Sequence, residues 1–168
     1  MLSWATEVII LGIDPAFRVS GFGVIELTRF TPRYIASGSI KVGHLSEGER
    51  LVKLYESMQT LIQQFAPACV AIESPFIYKN PQTAIKLGMA RGVVMLSAAT
   101  ASLPIAEYSP TQIKSSIVGK GHANKSQVQY MVSQLLGLSE PPSEDAADAL
   151  ACALTHAKIA AFTSKVSK

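Results

Sequence analysis

Four acidic residues stand where a charge is costly unless something neutralises it. Asp14 ends the apolar run VIILGI, and Glu73 ends the run CVAI. Asp145 and Asp148 lie three residues apart at the start of an alanine-rich stretch, EDAADALACAL. A buried carboxylate needs a partner, and hard divalent cations prefer oxygen ligands. If the four converge, they could hold two Mg²⁺ ions about 3.5–4 Å apart, an arrangement that clamps a scissile phosphate.

Each of these acids also has an ordinary structural role when it is taken singly. Acids in the first turns of a helix are stabilised by its dipole, which accounts for Asp145 and Asp148. Asp14 precedes a proline, as in many turns. Glu73, which precedes Ser-Pro, is compatible with a surface acid at a strand end. The catalytic interpretation therefore depends on whether the fold brings three separate segments together.

The hydrophobic pattern predicts three strands, followed by strands that alternate with helices. The first three strands cover 8–13, 19–28 and 34–42, with Thr31-Pro32-Arg33 as the second turn of an antiparallel meander. Ser46 begins a capping box, so the first helix starts there and ends before Pro67. The remaining predicted strands are 68–72 and 104–108, and the remaining helices are 81–102, 110–118, 125–136 and 144–162.

This order of elements predicts an α/β fold with a five-stranded mixed sheet and helices on both faces. Strands connected through helices join a sheet in parallel. Asp14 and Glu73 would then lie on neighbouring central strands, and the last helix would begin above them. We expect a single domain over residues 8–163, with an N-terminal extension at 1–7 and a flexible tail at 164–168.

The composition is that of a compact globular protein. Apolar residues make up 48% of the 168 residues, and charged residues make up 16%. Placing four acids in one site leaves eight against 15 Lys and Arg, a balance that would suit a polyanionic partner. A net charge of +3 is nevertheless ordinary for a soluble protein, and on charge alone this ordinary interpretation is favoured. Cys69 and Cys152 each lie in an apolar segment, so we expect both to be buried free thiols in a protein of a reducing compartment. The apolar stretch 87–103 is too short for a membrane span, so we expect a cytoplasmic protein.

Four blocks in order resemble the RuvC Holliday-junction resolvases, a family of ribonuclease H-like nucleases. The resemblance extends from about Val8 to about Ala157. The blocks are LGIDPAFRVSGFGVI (11–25), IESPFIYKNPQTAIKLGMARGV (72–93), KSQVQYMV (125–132) and DAADALACALTH (145–156). The chain departs from the family pattern at Ala16, Ser20 and Met89, where Gly, Thr and a polar residue are usual.

The resemblance implies a ribonuclease H-like fold and a function in DNA recombination and repair. Position by position, it identifies Asp14, Glu73, Asp145 and Asp148 as the catalytic and metal-binding quartet, with Mg²⁺ as the cofactor and Mn²⁺ as an alternative ion. It further implies a homodimer that nicks two opposing strands of a four-way junction symmetrically. The branch-migration proteins RuvA and RuvB are the implied protein partners.

Four further residues are candidate DNA contacts. Phe76, three residues after Glu73, could stack on an unpaired base at the junction centre, or it could simply pack beneath the next helix. Lys114 and Lys125 match basic positions of the family and flank the loop 119–124, where Lys120 lies. Lysines beside a glycine-containing loop are suited to phosphate contacts, although a solvated loop has the same composition.

Three different functions remain compatible with the residues alone. A related ribonuclease H-like nuclease would act on other nucleic acids, and a non-catalytic module would bind junctions without cutting them. An actin-like sugar kinase shares an Asp with a following Ser-Gly, but it needs a second domain that 168 residues do not provide. The small residues of helix 81–102 fit either a dimer contact or packing on the sheet of the same chain.

Overall fold

A computed structural model describes residues 7–74 and 80–166. The strands are β1 (Val8–Asp14), β2 (Val19–Thr28), β3 (Thr31–Lys41), β4 (Cys69–Glu73) and β5 (Ile105–Tyr108). The helices are α1 (Glu47–Phe65), α2 (Pro81–Thr100), α3 (Pro110–Val118), α4 (Lys125–Leu136) and α5 (Glu144–Val166). In these ranges no helix is both long and apolar enough to cross a bilayer.

The five strands form one mixed sheet in the order β3-β2-β1-β4-β5. β2 runs antiparallel to β1 and to β3, whereas β4 runs parallel to β1 and to β5. The predicted meander and the predicted parallel joins are therefore confirmed. Because β1 and β4 are parallel neighbours, their carboxyl ends meet at one edge of the sheet, and Ile13 pairs with Ile72 just before the two acids.

Alternation along the central strands produces a hydrophobic core on each face of the sheet. Leu11 and Ile13 pack with α1 and α2 on one face. Val8 and Ile10 point the other way and pack with α3, α4 and α5. A strand that is buried on both faces has a continuous apolar sequence, and VIILGI predicts a central strand for this reason. Helices on both faces are confirmed.

Two predicted boundaries were wrong by more than two residues. The second turn of the meander lies at Arg29 and Phe30, whose φ angles are 48° and 69°, and not at 31–33. Two positive φ angles suit the tight two-residue turn of a hairpin. Pro32 instead pairs with Leu27 within β3, an edge strand, where a residue without an N–H is tolerated. The last helix continues to Val166, beyond the predicted end at 162.

Candidate active site

Asp14 and Glu73 meet at the carboxyl edge of the sheet. Each is the last residue of its strand, and the two strands are parallel neighbours. Both side chains are half-buried, and the Asp14 carboxyl shares a hydrogen bond with the Glu73 carboxylate. One proton held between two carboxyl groups relieves part of the repulsion that two buried anions would otherwise suffer. The predicted convergence of these two acids is confirmed by the fold.

Three glycines of β1 and β2 bring α5 onto the sheet above these acids. A Cβ on Gly21 would lie 1.9 Å from the carbonyl oxygen of Asp145, and one on Gly12 would lie 2.1 Å from that of Ala149. A Cβ on Gly23 would lie 2.7 Å from the backbone nitrogen of Leu150. Gly21 is also the cross-strand partner of Asp14. Because these glycines lack side chains, the first turns of α5 pack directly on β1 and β2, next to Asp14.

Sequence reasoning missed this role of the glycines. The signal was present in the spacing of Gly21 and Gly23, which lie two residues apart on either side of Phe22 and directly before the apolar pair Val24-Ile25. Residues two apart share one face of a strand, and glycine within a buried strand marks a close backbone approach. Read in that way, the segment would have indicated where a helix lies on the sheet.

The electrostatics of the site show that the acids from three elements act on one another. Burial raises the pKa of Asp14 from 3.8 to about 8, with further contributions from Glu73, Asp148 and Asp145 in that order. Burial and the charge of Asp148 raise the pKa of Glu73. Burial also raises the pKa of Asp148, while Lys125 opposes the rise. Of the three charges, that of Asp145 has the smallest effect on the pKa of Asp14.

Lys114 and Lys125 supply positive charge beside the acids. Together with Glu73 and Asp148, they line a pocket of about 170 Å³ between the sheet edge, α3 and the starts of α4 and α5. The Nζ atom of Lys125 lies 4.0 Å from Oδ2 of Asp148. Both lysines lower the pKa of Glu73. The pocket therefore places oxygen ligands and ammonium groups side by side, as phosphoryl transfer needs.

The two other predicted DNA contacts are placed differently. Lys120 is exposed in the loop between α3 and α4 and does not line the pocket. Phe76 lies outside the described residues, so its stacking role stays a prediction.

The departures at Ala16 and Ser20 are accommodated in the turn after Asp14. The Ser20 hydroxyl accepts a hydrogen bond from the Ala16 N–H and donates one to the Ala16 carbonyl, both at 2.9 Å. Ala16 is not among the described residues with positive φ, so this position does not require glycine. Met89 packs against the core between α2 and the sheet, where its apolar side chain is suited. None of these substitutions removes an acid from the site.

A hydrogen bond between side chains fixes α5 to β5, an edge strand of the sheet. The Tyr108 hydroxyl and Nδ1 of His156 are 2.8 Å apart, joining the end of β5 to α5. Burial lowers the pKa of His156, so its neutral form is favoured. Sequence reasoning gave His156 no role, since a single histidine on a helix has no distinguishing pattern. Its role in the described structure is to hold the helix that carries Asp148.

The four carboxylates are chemically suited to bind a divalent cation, although the described side chains are not arranged as a formed metal site. Among the described side chains, no group of three or more His, Cys, Asp or Glu residues has the arrangement of a formed metal site. The donors are nonetheless all carboxylate oxygens on half-buried side chains, and the pKa values of Asp14, Glu73 and Asp148 are raised, so a hard cation such as Mg²⁺ would stabilise their charged forms.

Comparisons of the sequence with a family profile and with individual proteins agree on one family. The profile of one protein family, Crossover junction endodeoxyribonuclease RuvC, matches residues 10–156. A protein named crossover junction endodeoxyribonuclease RuvC from Hydrogenovibrio crunogenus is 58% identical over 147 residues, which is 88% of this chain and 86% of that protein. A protein of the same name from Idiomarina loihiensis is 53% identical over 154 residues, 89% of this chain and 86% of that one.

A solved structure extends this similarity to the fold. It is described as T. thermophilus RuvC in complex with Holliday junction substrate, and it superposes with a TM-score of 0.87. The sequence identity is 34%, and the alignment covers 93% of this chain and 96% of that chain. The similarity in fold therefore extends over nearly the whole chain.

Proposed function

The chain belongs to the RuvC family of crossover junction endodeoxyribonucleases, and we propose that it resolves four-way DNA junctions by paired, symmetric nicks during recombination and repair. The observation that carries this proposal is the convergence of carboxylates from β1, β4 and α5 at one edge of the sheet, beside two lysines. A module that only binds junctions gains nothing from half-buried acids that repel one another. The reaction is hydrolysis of a phosphodiester bond in each of two opposing strands.

The catalytic residues in this proposal are Asp14, Glu73, Asp145 and Asp148. The family is one of metal-dependent nucleases, and the four acids would hold two Mg²⁺ ions, with Mn²⁺ as an alternative. Bound cations would stabilise the charge that develops on the phosphate and lower the pKa of the attacking water. The chain itself orients the acids, since β1 and β4 end together and the close packing of α5 on Gly12, Gly21 and Gly23 holds this helix above them.

Lys114 and Lys125 bind the phosphate in this proposal. Their side chains line the pocket that contains Glu73 and Asp148, so a phosphate held there would lie beside the acids. Charge-assisted contacts to phosphate position the substrate without reading its sequence. Lys120 is exposed on the adjoining loop and would contact a more distant phosphate. Phe76 would stack on a base opened at the junction centre.

A homodimer would provide the two active sites that paired nicks require. The outward face of α2 supports this proposal, because Ile85 and Leu96 are 63% and 55% exposed. A Cβ added to Gly88 or Gly92 would meet nothing within 4 Å, so these small residues do not serve packing on the sheet of their own chain. They leave room for close approach of a second copy. We further propose RuvA and RuvB as partners and a cytoplasmic location.

The domain organisation completes the proposal. Residues 8–163 would act as a single nuclease domain, preceded by an extension at 1–7 and followed by the tail 164–168, whose first three residues form the end of α5.

The test is a comparison of substrates. The purified protein is incubated with a mobile four-way junction and with a linear duplex of the same sequence, each with and without Mg²⁺. We expect symmetric nicks on opposing strands of the junction alone, and only when Mg²⁺ is present. Equal cutting of the duplex would indicate a different nuclease of the same fold. Binding without cutting, with Mn²⁺ also tried, would indicate a junction-binding module.

A further inference from the structure

Lys125 stands at a position that helix stability does not explain. It is the first residue of α4, directly after the cap Asn124, and the first turn of α4 contains no acidic residue. A positive charge at a helix N-terminus is unfavourable, because it faces the positive end of the helix dipole. The lysine is therefore compensated by charges on a neighbouring element.

Those charges lie on one face of the catalytic helix. Nζ of Lys125 forms an ion pair with Oε1 of Glu144, the first residue of α5, and lies 4.0 Å from Oδ2 of Asp148. Glu144 and Asp148 are four residues apart and so share a helix face. The hydrogen bond to Glu144 is the first cause of a raised pKa at Lys125. The ammonium group thus lies between two carboxylates of the same helix.

The two carboxylates differ in their access to solvent. The side chain of Glu144 is 60% exposed and that of Asp148 is 22% exposed. Glu144 does not line the pocket that Lys125 and Asp148 share, so it stands at the rim. A phosphate that approaches Lys125 therefore meets a lysine already engaged by an anion. Because exposed ion pairs are weak and screened by salt, a phosphate can displace that anion.

We propose that Glu144 is a positioning residue that holds the ammonium group of Lys125 at the rim of the active site until a DNA phosphate replaces it. This inference rests on the proposed function, since it requires Lys125 to bind phosphate. Glu144 lowers the affinity of the free protein for DNA, because each binding event must first break the ion pair. Once the phosphate is bound, Glu144 faces solvent and takes no part in the chemistry.

The experiment is a double-mutant cycle in junction binding, measured in EDTA so that no cutting occurs. The proteins are wild type, Glu144→Gln, Lys125→Gln and the double variant. Glu140→Gln is the matched control, because it removes an exposed acid near the same helix start. We expect Glu144→Gln to bind the junction about two- to fivefold more tightly than wild type, the range expected for loss of an exposed ion pair. With Mg²⁺, its KM should fall by a similar factor while kcat stays within about twofold.

The decisive comparison is the effect of Glu144→Gln on junction affinity when Lys125 has also been replaced by Gln. There, Glu144→Gln should change affinity no more than Glu140→Gln does, because nothing remains for Glu144 to hold. A Glu144→Gln effect that is equal in both backgrounds, that matches Glu140→Gln, or that weakens binding would overturn the inference. If wild type fails to prefer a junction over linear duplex, the proposed function fails instead, and the cycle measured on linear duplex still tests the ion-pair exchange.

Discussion

Replacing Asp14 with Asn should stabilise the metal-free protein at neutral pH. The pKa of this carboxyl is 3.8 in the unfolded chain and about 8 in the folded protein. Folding therefore takes up a proton between these two pH values, and stability falls as the pH rises through that window. Asparagine has a similar shape and does not titrate, so the variant should not show this loss.

The size of the effect can be estimated from the same pKa. At 1.36 kcal/mol per pH unit, the interval from 3.8 to 7 corresponds to about 4 kcal/mol at pH 7. Asp14 is half-buried, and water near its carboxyl reduces this to about 2–4 kcal/mol. For a chain of this length, that difference raises the melting temperature by about 5–15 °C. Saturating Mg²⁺ should stabilise wild type and leave the variant nearly unchanged.

The assay is thermal unfolding of wild type and Asp14→Asn in EDTA at several pH values from 5 to 8. Glu140→Gln serves as the control, since it neutralises an exposed acid outside the site. The gap between wild type and Asp14→Asn should widen as the pH rises, while the control follows wild type. Equal stability of Asp14→Asn and wild type at pH 8 would refute the claim that crowded, half-buried carboxylates destabilise the metal-free site.

Three further predictions concern the packing of α5, the phosphate contacts and the dimer. Gly21→Ala should lower the free energy of unfolding by about 3 kcal/mol or more, because its Cβ would lie 1.9 Å from the Asp145 carbonyl oxygen. Gly48→Ala is the control: its Cβ would lie in open space, so the free energy of unfolding should change by less than about 1 kcal/mol. Lys114→Gln should weaken junction binding and reduce the slope of log K against log salt by about 1. Ile85→Asp should shift sedimentation from dimer to monomer, whereas Val52→Asp, equally exposed on α1, should not.

Each of these three predictions has a result that would contradict it. Gly21→Ala as stable and as active as Gly48→Ala would show that α5 does not depend on close packing against Gly21. An unchanged salt slope for Lys114→Gln would exclude a phosphate contact at that lysine. A dimer that survives Ile85→Asp would place the contact between copies away from α2.

Much of the fold could be predicted because its strands are buried on both faces. Continuous apolar runs such as VIILGI are typical of central strands, and capping residues mark the helix starts clearly. The second turn was misplaced because proline is a strong turn signal, while the actual turn uses Arg29 and Phe30, which carry no such signal. Only the position of Pro32 on an edge strand explains why it does not break β3.

The candidate site could be predicted only in part. All four acids stood out because each ends an apolar strand or lies at the start of an apolar helix, and the structure brings them into electrostatic contact. Glu144 and His156 did not stand out, because their partners lie 19 and 48 residues away in the chain. Contacts of that kind depend on how helices pack across the sheet, which residue spacing along one segment does not encode.

Cleavage of a four-way junction by Asp14→Asn tests the central claim most directly. Cutting is measured with excess protein and Mg²⁺, and junction binding is measured beside it in EDTA. We expect binding within about twofold of wild type and a cleavage rate reduced by more than about 100-fold, because in the proposed site the lost carboxylate is a ligand of the cations that stabilise the reacting phosphate. Cutting at the wild-type rate by this variant would contradict the assignment of the active site.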